Sequence, residues 1–196
     1  MQPAPTSDDD LTLIRRVASR DRQAFEVLYH RYAQRVRRYL STLIRGPEGL
    51  EEVLDDVMVV VWDSASRFRG ASRLSTWILG IAHRTALKAR ARSARIAAAR
   101  PNADAAVAEA PGPDDVAARR EVARAVARML DSLPPEQRAT VELTCYEDRS
   151  YREVAEIMGC PVNTVKTRMF HARRRLAPVL ADLGPSIASA PRKEVP

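Results

Sequence analysis

The sequence predicts an all-α protein: two small helical domains joined by a flexible linker, the second a four-helix domain built around a helix-turn-helix. Three observations predict it. Apolar residues recur at three and four through most of the chain, the spacing that keeps one face of a helix buried. That period disappears between residues 97 and 113, where Ala, Pro, Asp and Glu take over, the composition of a linker. The third is the stretch over residues 150–175, SYREVAEIMGCPVNTVKTRMFHARRR, which reads as two short helices meeting at a tight corner.

With 196 residues there is room for one large or two small domains, and 45% hydrophobic residues is ordinary for a globular chain. The formal charge of +7, from 32 Lys and Arg against 25 Asp and Glu, favours a polyanionic partner. No apolar run approaches the length that spans a bilayer, and the leader MQPAPTSDDD lacks the basic and apolar regions of a signal peptide. A cytoplasmic protein without membrane insertion is expected. Cys145 and Cys160 are too few for a disulfide framework or a zinc site; both read as packing residues, Cys145 because it follows Val141 by four on an expected helix. His30, His83 and His171 have no nucleophile or carboxylate arranged beside them in sequence, and no glycine loop cradles a phosphate. The expectation is a binding protein rather than an enzyme, requiring no cofactor or metal.

Leu11, Ile14 and Ala18 open the first domain as a short amphipathic helix. Phe25, Leu28, Tyr32, Val36, Tyr39 and Leu43 then form the inner face of one long helix, whose other faces carry Arg31, Arg35, Arg37, Arg38 and Arg45 as a solvated basic surface. Gly46-Pro47-Glu48-Gly49 breaks it. From Leu50 to about Asp63 the inner stripe is Leu54, Val57, Met58, Val61 and Trp62. Glu52, Asp55, Asp56, Val59 and Val60 lie off that stripe, an apolar patch edged with one sign of charge that fits a protein partner with a basic face. A helix buried on both sides within a larger bundle has the same spacing.

The next stretch, SASRFRGASRLS from Ser64 to Ser75, is polar, basic and punctuated by Gly70, the pattern of a loop. Trp77, Ile78, Ile81 and Ala82 begin another helix that continues through Arg84, Lys88, Arg90, Arg92 and Arg95. Arg67, Phe68, Arg69, Arg73 and Trp77 combine cations with rings, which suits single-stranded nucleic acid: rings stack on unpaired bases while cations hold the backbone. Phe68 and Trp77 would also serve to close a core, and for Trp77 alone that is the stronger reading.

Beyond the linker, with its acidic Asp104 and Glu109, Asp114 and Asp115 favour a helix start. Val116, Ala123, Val126, Leu130 and Leu133 carry that helix to Pro134-Pro135, and a further helix spans Glu136 to Tyr146. Ser150 and Glu153 have the spacing of a capping box, Val154, Ile157 and Met158 mark a buried face, Gly159 supplies a left-handed C-cap and Pro161 fits a first turn. Val165, Met169, Ala172 and Leu176 then pack inward. Lys166, Thr167, Phe170, His171, Arg173 and Arg174 fall outside that stripe, the chemistry of a helix laid in a DNA major groove. A solvated basic face is the plainer alternative, and an exposed phenylalanine counts against it. Pro178, Gly184 and Pro185 end regular structure. The domains therefore span residues 8–96 and 114–180, with the linker at 97–113 and a loose tail at 181–196. The linker composition leaves open whether the domains pack together, masking DNA-binding surfaces, or tumble independently.

Taken in order, AFEVLYHRY, EEVLDDVMVVVW, FRG followed by LSTWILGIAHRTAL, LPPEQRATVEL, SYREVAEI and TVKTRMFHARRRL resemble the successive signatures of bacterial RNA polymerase sigma factors of the extracytoplasmic-function (ECF) group. The resemblance covers both domains and implies a region 2-like first domain and a region 4-like second one. It implies an alternative sigma factor whose partners are core RNA polymerase, through the beta and beta-prime subunits, and promoter DNA, with room for an anti-sigma factor. On that resemblance Glu52, Asp55, Asp56, Val59 and Val60 dock on the polymerase. Arg67, Phe68, Arg69, Arg73, Ser75, Thr76, Trp77, Arg84 and Lys88 melt and bind the minus-ten element. Asn163, Thr164, Lys166, Thr167, Arg168, Phe170, His171, Arg173 and Arg174 meet the minus-thirty-five element, and the acidic linker resembles the segment that runs through the polymerase's RNA path.

The chain departs from the commoner family residues at Asp55, Met58, Ala71, Arg84 and His171, so the promoter sequence does not follow from the resemblance. Arg84 and Lys88 place cations where the melted strand would pass, exchanging base selectivity for phosphate attraction. Two other classes share parts of the pattern. A helix-turn-helix activator would leave the first domain unexplained, and a polymerase-binding regulator without sigma activity would not need the basic second domain.

Overall fold

The computed structural model describes residues 7–44, 46–99 and 129–182, and every regular element among them is helical. Helix α1 (Ser7–Ala18) buries Leu13, Ile14 and Val17. Its acidic start is clipped to the next helix: Asp9 and Asp10 lie 2.8 and 3.0 Å from the Arg31 guanidinium, and the Tyr32 hydroxyl donates to Asp10 at 2.8 Å. The chain turns through Arg20, in the left-handed region at φ 64°, and Asp21 caps α2 (Arg22–Ser41) by accepting from the Ala24 amide at 3.1 Å.

Helix α3 (Pro47–Ser64) begins three residues before the expected Leu50, because Pro47 fits a first helical turn and Gly46 supplies the φ of 83° that precedes it. A single 3₁₀ turn, Ala65–Arg67, extends it. Helix α4 (Leu74–Ala99) also starts earlier than expected, anchored by the buried Leu74, so Ser75, expected in the loop, belongs with Thr76 to its first turn. The predicted inner faces close the first core, with Leu28, Tyr39, Leu54, Ile78 and Leu79 fully buried. In it Tyr39 and His83 share a hydrogen bond of 2.8 Å, and burial lowers the His83 pKa so that the neutral ring is favoured.

In the second domain α5 (Pro135–Val141) widens into a π-helical turn, Glu142–Tyr146, before α6 (Tyr151–Met158) and α7 (Val162–Asp182). The wider turn breaks the four-residue register from Val141, so Cys145 is exposed and not the packing residue expected. The Ser150–Glu153 capping box forms, and Gly159 takes the left-handed C-cap at φ 61°. Helix α7 does not stop at Pro178 but runs through it, since the lost backbone bond falls on an exposed side where water can replace it. The helix expected from Asp114 through Val126, the linker beyond Ala99, the tail beyond Asp182 and Arg45 lie outside the described residues. Among those described, no helix is long and apolar enough to cross a membrane.

Of the two arrangements left open above, the structure has the domains packed together. Ala139, Leu143, Val154, Ala155, Ile157, Met158 and Val165 join the core of α1–α4 in one apolar cluster, while Met129, Leu133, Val141, Met169, Ala172 and Leu176 form a smaller one inside the second domain. Helix α6 lies across α4 at Gly80, where a Cβ would stand 3.9 Å from the Ile157 backbone. Of the long helix's arginines that were expected to be solvated, four are engaged: Arg31 as above, Arg37 on Glu51 at 2.7 Å, Arg35 on Glu147 at 2.8 Å, and Arg38 on Glu147 and, at 3.3 Å, on Glu142.

Burial pushes the Glu142 carboxyl from 4.5 up to about 7, opposed by the Arg38 charge and aided by Glu147. The closed fold then binds more protons than the unfolded chain between those two values and loses stability as pH rises through that window, by on the order of 3 kcal/mol from this group. Glu142→Gln should remove that component of the pH dependence. Urea melts of both proteins at pH 5 and pH 7.5 test it; equal pH slopes would show that Glu142 titrates as an exposed acid.

Candidate nucleic-acid and protein interfaces

Three surfaces carry the residues singled out in the sequence. On α3 the buried side is Val53, Leu54, Val57, Met58 and Val61, and the opposite side is bare: Val59 is 58% and Val60 41% exposed, with Glu52, Asp55 and Asp56 in the open beside them. The helix is thus one-sided, not a strut buried all round. Glu52 meets Arg92 at 3.6 Å, an exposed pair of little energetic weight. Trp62 closes the helix end half-buried, its ring 5.0 Å from Phe25 and 5.2 Å from the Arg20 guanidinium.

The second surface is the loop into α4. Phe68 and Trp77 pack on each other, ring centres 5.4 Å apart, both half-buried against the first core, so each ring serves the core and still shows an edge. Arg67, Arg69, Arg73, Arg84 and Lys88 are exposed. Ser75 and Thr76 are not: they are buried against the second domain. Arg149 donates to Ser75 Oγ at 2.8 Å and to Thr76 Oγ1 at 3.5 Å, and Thr76 in turn donates to Glu153 Oε1 at 3.3 Å. Arg73 completes the cluster, 3.7 Å from the same carboxylate. Burial raises the Glu153 pKa, but the Ser150 amide and hydroxyl and the charges of Arg149 and Arg73 outweigh it and hold the carboxyl below its ordinary range.

The third surface is α7. Val165, Met169, Ala172 and Leu176 are buried on α5 and α6, as their spacing requires. Asn163, Lys166, Thr167, Phe170, His171, Arg173 and Arg174 are exposed, and Thr164 is half-buried. Phe170 is 61% exposed with its ring edge-on to His171 at 5.5 Å, an arrangement no core explains. Thr167 Oγ1 donates to the Asn163 carbonyl at 2.9 Å. Arg168 differs from its neighbours: it turns inward to Glu136 at 3.2 Å and passes Cys160 Sγ at 3.7 Å, tying α7 to α5.

Glu142, Glu147 and Arg149 were not among the residues the sequence pointed to. The left-handed backbone at Asp148, φ 49°, separates Glu147 from Arg149, and both side chains are buried against the first domain. Their partners lie up to 109 residues away, so the only local sign was an Glu-Asp-Arg run that resembles any polar loop. These surfaces offer an acidic-apolar face for a protein, a cationic and aromatic edge for unpaired bases, and a basic helix with a ring and hydroxyls for a duplex groove.

Comparison with known proteins agrees in both halves. The family model described as Sigma-70 region 2 matches residues 28–96, and that described as Sigma-70, region 4 matches residues 123–176. The ECF RNA polymerase sigma factor SigK of Mycolicibacterium vanbaalenii is 35% identical over 179 residues, spanning 89% of this chain and 90% of that protein. The ECF RNA polymerase sigma-E factor of Escherichia coli is 30% identical over 177 residues, 85% of this chain and 92% of that one. The sigma factor RpoE of Bartonella quintana, solved in complex with the anti-sigma factor NepR, shares the fold with a TM-score of 0.66, at 22% identity over 80% of this chain and 96% of that one. Two sigma domains in this order, with relatives of that identity along nearly their whole length, make the chain a member of the ECF group of RNA polymerase sigma factors, an alternative sigma factor acting in transcription initiation.

Proposed function

We propose that the three surfaces divide the work of initiation. The first domain, residues 8–96, docks on the beta and beta-prime subunits of core polymerase through Glu52, Asp55, Asp56, Val59 and Val60. Its loop and α4 then receive the melted minus-ten strand on Arg67, Phe68, Arg69, Arg73, Ser75, Thr76, Trp77, Arg84 and Lys88. The second domain, residues 114–180, reads the minus-thirty-five duplex with α7, and residues 97–113 link the two. The work is binding in the cytoplasm, without catalysis.

The observation that carries this reading is the two-sidedness of α3. Five side chains of one face are buried, and the opposite face holds two exposed valines among exposed carboxylates, of which Glu52 meets Arg92 in a solvent-exposed pair. Isolated exposed valines are common, but a contiguous patch with one sign of charge is what a basic partner surface requires. An anti-sigma factor is a further partner to expect, since the similarly folded RpoE was solved in complex with the anti-sigma factor NepR.

On α7, Arg168 serves the second domain's own packing through Glu136, which leaves Lys166, Thr167, Phe170 and His171 for base edges and Arg173 and Arg174, toward the C-terminal end, for phosphates.

Two measurements test these assignments. Asp56→Arg, which sets like charges against each other at a cost of several kcal/mol, or Val60→Asp, which puts a carboxylate into an apolar contact, should abolish assembly with core polymerase, while thermal midpoint and helicity stay near wild type because both residues are exposed. Normal polymerase affinity in a normally folded variant would show that α3 docks elsewhere. Lys166→Ala should cost roughly 1–3 kcal/mol on a preferred minus-thirty-five duplex and little on scrambled DNA, whereas Arg174→Ala should weaken both alike. Holoenzyme titrations on the two duplexes decide it; equal losses on both for Lys166→Ala would rule out a base contact.

A further inference from the structure

Helix α1 carries no residue assigned to the three surfaces, yet it is packed against one of them. One side is fixed to α2: Asp9 and Asp10 meet Arg31 at 2.8 and 3.0 Å, and the buried Asp10 also accepts from the buried Tyr32 hydroxyl at 2.8 Å. Another side runs along the 3₁₀ turn Ala65–Arg67, where Ala65 is buried. Leu11, next to Asp10 in the chain, reaches past that turn to the loop into α4. A Cβ at Gly70 would stand 3.4 Å from Leu11 Cδ2, so the leucine methyl closes over the glycine backbone. Gly70 sits there at φ 72°, a conformation that residues with a Cβ rarely adopt.

This contact falls midway between the loop's other anchors. The Phe68 amide donates to the Ala65 carbonyl at 3.2 Å, and the Trp77 amide to the Arg73 carbonyl at 3.1 Å. Phe68 rests on Trp77, with ring centres 5.4 Å apart. Between these fixed points run Arg69, Gly70, Ala71 and Ser72, and Leu11 touches the chain at midspan. A loop that has to be ordered when its ligand arrives loses part of the binding free energy to that ordering. A side chain that holds the loop beforehand removes the loss. Two consecutive residues divide the task here: Asp10 ties α1 to α2, and Leu11 ties the loop to α1.

We propose that Leu11 is a positioning residue for strand capture: with Asp10 fixing α1 to α2, it holds Gly70 and so presets the loop on which Phe68, Arg69 and Arg73 meet the melted strand. The proposal rests on the reading of that loop as the single-strand surface. It gives α1 a part in promoter opening and assigns Leu11 no contact with DNA.

The test uses holoenzyme reconstituted from the full chain and core polymerase, with a fork-junction DNA whose unpaired strand has been selected from a random pool on the wild-type holoenzyme. Leu11→Ala should lower affinity for the fork roughly tenfold, the factor expected if the loop is then preset in about a tenth of molecules. Affinity for core polymerase, and for a duplex carrying only the minus-thirty-five part, should stay at the wild-type value. Leu11→Met keeps a flexible apolar side chain of similar size and should restore fork binding. Leu13→Ala controls for mere loss of stability. It makes the same cut on the buried face of the same helix, so it should lower the thermal midpoint more and leave fork affinity unchanged. Ile14→Val replaces it if Leu13→Ala does not fold. Gly70→Ala should cost a similar factor, because the added Cβ is strained at that φ and presses on Leu11. Since both changes act through one contact, the double variant should lose about tenfold rather than about a hundredfold. Wild-type fork affinity in Leu11→Ala, an equal loss in the control, or single losses that multiply would each overturn the proposal. Failure of the underlying reading has a different signature: Arg69→Ala would then leave fork affinity untouched, whereas if Leu11 alone is misassigned Arg69→Ala weakens the fork and Leu11→Ala does not.

Discussion

Helix α4 is packed from two directions, and the rest of the structure depends on that. One side, with Ile78, Leu79, Ile81 and Ala82, fills the core of the first domain. Another, at Gly80 and the first turn, receives α6 of the second domain. Glycine at position 80 lets two backbones approach closely, and close approach is what turns two amphipathic bundles into one apolar cluster. A helix used this way has little free perimeter left, so its exposed chemistry is confined to Arg84, Lys88 and their neighbours toward the C-terminal end.

The ionic layer at the same boundary has a different role. Glu142 and Glu147 are largely withdrawn from water, and Arg35 and Arg38, which face them from the first domain, remain partly in solvent. Burying a carboxylate costs several kcal/mol, and a guanidinium that stays wet repays only part of it, which is why the Glu142 carboxyl is pushed up to about 7. A layer of this kind selects one register of the two domains more than it strengthens their contact. Any slip would strand Glu147 or Arg149 without a partner in a place water does not reach. Capping reinforces the same geometry: Glu153 closes the N-terminus of α6 with Ser150 and, from the same carboxylate, meets Thr76, Arg149 and Arg73.

Helices α3 and α7 carry their proposed functions by the opposite strategy, a narrow buried stripe and a wide free face. Val57 and Val61 hold α3 in the core while Val59 and Val60, on the same helix, stay in solvent; Val165 and Met169 do the same for α7 while Phe170 projects outward. The apolar residues that a fold leaves exposed next to aligned charge are the informative ones, since burial alone would have claimed them at little cost.

Much of this was legible in the sequence because it is local. Helical spacing placed the inner stripes of α2, α3 and α7; Ser150, Glu153, Gly159 and Pro161 marked the corner of the helix-turn-helix; and the ordered motifs pointed to the sigma family. The spare face of α3 was legible too, because five apolar positions sufficed for its stripe. Tertiary structure alone decided what crosses between domains. The spacing of α2 showed Arg35 and Arg38 only as off-stripe cations, and nothing near them in sequence announces Glu147, more than a hundred positions away. Arg168 looked like its DNA-facing neighbours until Glu136 drew it inward, and Ser75 and Thr76 counted among the minus-ten residues until Arg149 and Glu153 covered them. The physical reason is the range of the forces: periodicity and capping act over one or two turns and leave a trace in the chain, whereas an ion pair between domains depends only on where the folded surfaces meet.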